Sequence, residues 1–88
     1  MPLTIRQLTV VRALIRALLQ CGDYLLPEDA LREAVDITVT PTPTTSEVDE
    51  LIRHLSSTRL IIDGDTVTGR GWKLTANGKV WSKENRVA

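Results

Sequence analysis

The hydrophobic pattern of this 88-residue chain changes from a helical period to a strand period near Leu60. Before that point, apolar residues recur every three or four positions in three separate stretches, as they do on the buried side of amphipathic helices. After it, the β-branched segment 60–62 and the alternating segment 72–75 are typical of the two strands of a hairpin. The pattern therefore predicts a mainly α domain with a β-hairpin, an α+β fold.

The three helical stretches carry recognisable start and stop signals. The first helix is predicted over 4–21, and Gly22 follows it as a stop. The second is predicted to begin at Pro27, which suits a first helical position, and to end near 35–36. The third follows Thr44-Thr45-Ser46-Glu47, which fits a capping box. The sequence thus predicts three helices before the hairpin.

The hairpin itself contains two glycine-rich points. Asp63-Gly64-Asp65 is predicted to be a turn, and Gly69-Arg70-Gly71 a second flexible point that places Arg70 at the tip. A last short helix is predicted to begin within 76–78. Its residues follow the second strand directly, so the chain is expected to close on a terminal turn of helix.

Chain length limits the protein to one domain with a small core. This domain is predicted over 1–82, with a frayed tail over 83–88. Tyr24, Trp72 and Trp81 are the only aromatic residues, so aliphatic side chains must build the core. The two tryptophans are expected to anchor the hairpin by burial, and a stacking platform for nucleic-acid bases is the alternative.

Two local patterns carry a family resemblance. The first is the stretch Glu47–Leu55 running into Arg59-Leu60-Ile61, and the second is Trp72–Lys79, which contains Leu-Thr-x-x-Gly. They resemble the recognition helix and the end of the wing in the winged helix-turn-helix superfamily, broadly its small bacterial and phage regulators. The resemblance implies a three-helix core plus a wing, with the hairpin 60–75 as the wing. It also implies DNA binding, with the third helix in the major groove and the wing near phosphates.

The chain departs from that family pattern in two places. Recognition helices usually begin with basic or amide side chains, whereas this one begins with Glu47, Asp49 and Glu50. The connection over 38–45 is also longer than a tight helix-turn-helix turn. Both departures argue against specific base readout. The acid-rich start of the third helix and the zero net charge favour an alternative function, in which the winged helix is a protein–protein interaction or assembly module and the three acids face a protein partner.

The formal net charge is zero, but the charges are unevenly placed. Residues 1–20 contain three arginines and no acid, and residues 21–50 contain eight acids against Arg32. Residues 51–88 contain seven basic residues against three acids. The middle of the chain is therefore acidic, and any contact with nucleic acid is expected at the wing and the far half of the third helix.

Six residues on the third helix and the hairpin region are candidate contacts to double-stranded DNA. They are Ser46, Arg53, Arg59, Arg70, Lys73 and Lys79. Arg53 could hold guanine in two hydrogen bonds, or could simply pair with Asp49 or Glu50. Arg70 could be a solvated turn residue, and the two lysines could serve solubility. A symmetric homodimer is expected, because one small domain covers little DNA.

Enzyme chemistry is not indicated by the sequence. The single His54 has no nucleophile at a suitable spacing, and Asp63 and Asp65 alone are too few to define a cation site. Cys21 cannot form an intrachain disulfide, and no zinc spacing is present. No apolar run could span a membrane and no signal peptide is evident. We therefore expect a cytoplasmic transcriptional regulator without a cofactor or metal.

Overall fold

The computed structural model describes residues 3–87. Met1 and Pro2, where the predicted domain begins, and Ala88, where the predicted tail ends, lie outside the described residues. The elements in chain order are α1 (Ile5–Cys21), β1 (Leu26–Pro27), α2 (Glu28–Thr38), α3 (Thr45–Ser57), β2 (Ile61–Thr66), β3 (Gly69–Leu74) and α4 (Ala76–Glu84). The predicted α+β class and the predicted order of three helices, a hairpin and a last short helix are confirmed.

Local capping explains where α1 and α3 begin. The Thr4 hydroxyl accepts a hydrogen bond from the backbone N–H of Gln7, and the Gln7 side chain accepts one from the backbone of Thr4. The same reciprocal arrangement joins Thr44 and Glu47 at the start of α3, as the sequence predicted. Each box satisfies two backbone donors that a helix start leaves unpaired.

The second helix is longer than predicted, because it continues to Thr38 rather than ending near 35–36. Its last turn is held by the backbone N–H of Val39, which donates to the carbonyl of Val35 at 2.9 Å. Both valines are buried, with 0 and 2% of their surface exposed. Burial of Val39 therefore stabilises an additional turn at the end of α2, which no local sequence signal indicates.

The core is aliphatic and centres on α1. Seven residues of this helix are buried: Val10, Val11, Ala13, Leu14, Ile15, Ala17 and Leu18. They pack against α2, α3, α4 and β3, which surround α1. Trp72 lies in the same core with 4% of its surface exposed, and the half-buried Trp81 packs against it. The burial of Trp72 in β3 agrees with the predicted anchoring of the hairpin, whereas Trp81 lies on α4 and packs against the core.

The three strands form one antiparallel sheet in the order β1-β3-β2. Leu26 of β1 lies opposite Trp72, and Ile61 of β2 lies opposite Leu74. Because β1 comes from the segment between α1 and α2, its pairing with β3 fixes the hairpin to the helical part of the molecule. The position of the hairpin relative to α3 is set in this way.

The predicted turn at Asp63-Gly64-Asp65 is wrong. Strand β2 runs through these residues to Thr66, and the chain reverses at 67–68 instead. Gly64 lies opposite Gly71 in the ladder, and a Cβ added to Gly64 would lie 2.8 Å from a methyl carbon of Leu25. These glycines leave room for the side chain of Leu25, which lies against both of them. Gly64 therefore serves packing and not chain reversal.

The predicted position of Arg70 at the hairpin tip is also wrong. Arg70 lies within β3 directly opposite Asp65, one residue pair inside the end of the ladder at Thr66 and Gly69. Gly69 has φ of 119°, a conformation that favours glycine, and it takes the chain from the turn into β3. The backbone at Arg70 is consequently part of a sheet, and its side chain is exposed.

Residues 83–87 of the tail predicted over 83–88 are held by helix and core contacts. Helix α4 includes Lys83 and Glu84, and the backbone N–H of Val87 donates to the carbonyl of Ser82 at 2.9 Å. Val87 is buried in the core, with 3% of its surface exposed. An apolar residue near the chain end is thus held by core packing. Of the helices within 3–87, none is long and apolar enough to cross a bilayer.

Candidate nucleic-acid interface

Helix α3 presents one continuous exposed stripe. Its buried side consists of Val48, Leu51, Ile52 and Leu55. The opposite side consists of Ser46, Glu50, Arg53 and Ser57, which are spaced by three or four residues and are all exposed. We call these four residues the α3 stripe. It contains two of the predicted DNA contacts, Ser46 and Arg53, and one acid.

Glu47, the first acid of α3, is bound by two other groups of the molecule. Glu47 accepts a hydrogen bond from the backbone N–H of Thr44 at 3.1 Å and one from Arg6 Nε at 3.3 Å. The Thr44 backbone bond is the main reason that the pKa of Glu47 lies below its usual value, and Arg6 adds to the effect against some desolvation. Arg6 also donates to the carbonyl of Pro41 at 2.6 Å. The contact joins α1, the 39–44 loop and α3.

The second acid of α3 belongs to a chain of polar contacts that crosses the molecule. Asp49 forms an ion pair with Arg32 of α2, and Arg32 lies 4.0 Å from Glu28 of the same helix. Glu28 in turn accepts a hydrogen bond from Trp72 Nε1 of β3 at 3.3 Å. We call these four residues the Trp72–Asp49 chain. It connects the hairpin, α2 and α3, and it gives the indole N–H of the buried Trp72 a partner.

A cleft separates α3 from the hairpin beside this chain. Its volume is about 360 Å³. The lining residues come from α2, α3 and β3: Glu28, Asp49, Ile52, Arg53, Ser56, Ser57, Arg70 and Trp72. Arg53 and Arg70, which are 17 positions apart in the sequence, therefore border the same cleft. Exposed guanidinium groups on two elements around one cleft are an arrangement that can bind phosphate or a base edge.

Arg70 is positioned by the hairpin rather than by flexibility. Its guanidinium carbon lies 5.9 Å from the centroid of the Trp72 ring, which is within the range of a cation–π contact. Its Nε lies 3.7 Å from a carboxylate oxygen of Asp63 on the neighbouring strand. The Arg70 side chain is nevertheless 62% exposed. The structure thus holds this cation at the edge of the cleft and leaves it accessible.

The other three predicted contacts lie away from the cleft. Arg59 adopts φ of 62° beyond the end of α3, and its side chain is exposed. Lys73 lies three positions after Arg70 in β3, so its side chain leaves the opposite face of the strand. Lys79 of α4 donates to Asp23 at 3.1 Å, and this bond is the main cause of the lowered pKa of Asp23. The structure brings Arg53 and Arg70 together, with Ser46 on the same stripe as Arg53.

The sequence did not indicate the two arginines, Arg6 and Arg32, that form ion pairs with acids of α3. Helical spacing suggested Arg53 as the partner of Asp49 or Glu50, but over residues 3–87 Arg53 forms no ion pair, and Asp49 pairs with Arg32 instead. Arg6 and Glu47 are 41 positions apart, and Arg32 and Asp49 are 17 apart. Only the spacing of four between Glu28 and Arg32 was a local signal for any part of this network.

Metal ligands do not converge in the part of the chain that the structure describes, since no three His, Cys, Asp or Glu side chains come together there. His54 is half-buried on α3, and Asp63 faces Arg70.

Comparison with known proteins adds no family assignment: no family model matches the chain, and a search of curated proteins gives no significant match.

Proposed function

We propose that the protein is a winged helix-turn-helix domain that binds double-stranded DNA. In this proposal, α2 and α3 are the helix-turn-helix, α3 enters the major groove, and the β2–β3 hairpin is the wing beside the phosphate backbone. The order of the elements supports it, as does the pairing of β1 with β3, which attaches the hairpin to the three-helix core. A role in cytoplasmic transcriptional regulation is part of the same proposal.

The observation that carries the proposal is the shared cleft of Arg53 and Arg70. One residue belongs to the helix that would enter the groove, and the other belongs to the hairpin that would lie on the backbone. Arg53 has no intramolecular ion pair within the described residues, and the one ion pair of Arg70 there is a long contact to Asp63. Both are therefore available to an anionic ligand, and each phosphate that they neutralise would release counterions from the DNA.

The acids at the start of α3 oppose DNA binding less than their sequence suggests. Glu47 and Asp49 each have an arginine partner inside the molecule, so their charges are largely compensated. The same ion pairs weaken the alternative function, in which Glu47, Asp49 and Glu50 form an acidic docking surface for a protein. Only Glu50 of the three remains exposed without an ion pair in residues 3–87.

The proposal includes a second copy of the chain, so that a symmetric dimer binds the DNA. A single domain of this size would cover little DNA, whereas a symmetric dimer would place two α3 helices in successive major grooves, about 34–36 Å apart. Binding to one duplex should therefore saturate at two chains per site.

A fluorescence-anisotropy titration with mixed-sequence duplex DNA at low salt tests the proposal. We expect an affinity whose logarithm falls linearly with the logarithm of salt concentration. The double variant R53A/R70A should bind more weakly, and its salt slope should be smaller by roughly 0.9 for each phosphate that it no longer neutralises. Absence of binding at tens of micromolar protein, or binding without a salt dependence, would contradict the proposal.

A matched control is the double variant R12A/K83A. It also removes two exposed cations, from α1 and α4, and neither residue lines the cleft. Its salt slope should stay close to that of the unchanged protein. An equal loss of affinity in both double variants would show that only overall charge matters, and would contradict binding through the cleft.

A further inference from the structure

The α3 stripe contains one acid and one cation that form no ion pair within the described residues. Glu50 and Arg53 are exposed and lie three residues apart. Opposite charges at this spacing often pair, but neither residue takes part in an ion pair within the described part of the chain. The other two acids of α3 do have arginine partners, so Glu50 differs from them in its surroundings.

A carboxylate on a helix that enters the major groove has few favourable positions. Phosphates repel it, and the groove edges of guanine and thymine offer it no hydrogen-bond donor. Only the exocyclic amino groups of cytosine and adenine can donate to it there. If α3 enters the groove, Glu50 must therefore lie against one of these two bases or weaken binding.

The neighbouring Arg53 favours cytosine over adenine as the base that donates to Glu50. A guanidinium group can donate two hydrogen bonds to O6 and N7 of guanine. A C·G pair presents the cytosine donor and both guanine acceptors side by side, which matches one carboxylate and one guanidinium. An A·T pair presents no comparable pair of acceptors for arginine on the partner base.

The placement of the two side chains fits the two bases of one pair. Three residues of helix rise about 4.5 Å, so the two side chains leave α3 within one turn of each other. Glu50 lies on the α1 side of the stripe, where it lines a small cavity with Thr4, Gln7 and Arg6, the ion-pair partner of Glu47. Arg53 lies on the hairpin side, where it borders the cleft. The two groups are therefore spread across the stripe rather than stacked along it.

We propose that Glu50 and Arg53 together select a C·G base pair, with the Glu50 carboxylate accepting from cytosine N4 and the Arg53 guanidinium donating to guanine O6 and N7. This inference rests on the proposed function, because it assumes that α3 enters the major groove. It makes Glu50 a determinant of sequence preference rather than a solvated acid.

Selection from a pool of duplexes with a randomised core, followed by sequencing, tests this inference. The unchanged chain should enrich a fixed C·G pair. In E50A and in R53A, that preference should fall at least about fivefold. The two variants should differ in affinity for unselected duplex, because E50A removes a negative charge and binds more tightly, whereas R53A removes a positive charge and binds more weakly.

The variant E33A is the matched control, since Glu33 is an exposed acid on α2 outside the stripe. It should bind unselected duplex at least as tightly as the unchanged chain and keep the C·G preference. Binding with the same base preference in E50A as in the unchanged chain would overturn the inference and leave the proposed function intact. Failure of the unchanged chain to retain any duplex would overturn both.

Discussion

Charged side chains on α3 divide into two groups according to what they contact. Glu47 and Asp49 bind Arg6 and Arg32, whereas Glu50 and Arg53 face solvent. The first group holds helices together, and the second group is free to act on a ligand. The two kinds of residue can therefore be separated by measuring stability and DNA affinity on the same variants.

Arg32 should matter for stability and Arg53 for binding. R32A leaves Asp49 and Glu28 without their shared cation at a half-buried position, and we expect it to lower the free energy of unfolding by about 1 kcal/mol. R53A removes an exposed side chain that lacks an ion pair within 3–87, and should change stability by less than about 0.5 kcal/mol. Urea denaturation followed by circular dichroism measures both. Equal destabilisation by the two variants would contradict this division.

Glu47 should make stability depend on pH in the acid range. Because its pKa is lowered in the folded state, its contribution is present above its unfolded pKa and is lost as pH falls through the folded pKa. In E47Q the side-chain amide oxygen can still accept from Thr44, but it does not titrate. The melting temperature should therefore fall less between about pH 5 and about pH 3 in E47Q than in the unchanged chain. An equally steep fall in both proteins would contradict this role.

At the scale of whole elements, local signals and packing contribute differently to what the sequence predicts. Helices α1 and α3 were predictable because their starts are capped by neighbours within three residues and their buried faces follow a helical period. The course of β2 was not predictable, because Gly64 opens the space that Leu25 occupies, and Leu25 is 39 positions away. A glycine between two aspartates has the same local appearance whether it turns the chain or admits a neighbouring side chain.

Gly78 is a second glycine whose role appears only in the packed molecule. A Cβ added there would overlap the carbonyl oxygen of Leu60, which also accepts a hydrogen bond from the backbone of Thr75. G78A should therefore force α4 away from the start of β2 and cost about 1–3 kcal/mol, although alanine favours helix. The control N77A changes the neighbouring exposed residue and should be close to neutral. Thermal unfolding compares the two, and an unchanged or higher melting temperature for G78A would contradict this packing.

At the scale of the whole molecule, the net charge is zero, but three elements together form a cleft that is bordered by two exposed arginines. The cleft takes its walls from α2, α3 and β3, and core packing around α1 sets the distances between them. The sequence indicated that Arg53 and Arg70 were candidate contacts, but it could not show that they border one cleft or that Lys73 and Lys79 lie elsewhere. The acids in the middle of the chain are likewise less available to a partner than the composition suggests, since two of them form ion pairs with arginines from other elements.

The α3 stripe and the cleft side of the hairpin are the surface that DNA is proposed to contact. Titration of isotope-labelled protein with a short duplex, followed by amide NMR, tests this proposal most directly. Amide shifts should be concentrated on Ser46, Glu50, Arg53, Ser57 and the residues around Arg70, and they should diminish as salt is raised. Amides of α4 around Val80 and Lys83 should remain unchanged. Shifts confined to α2 or α4, or no shifts at low salt, would contradict DNA binding at this surface.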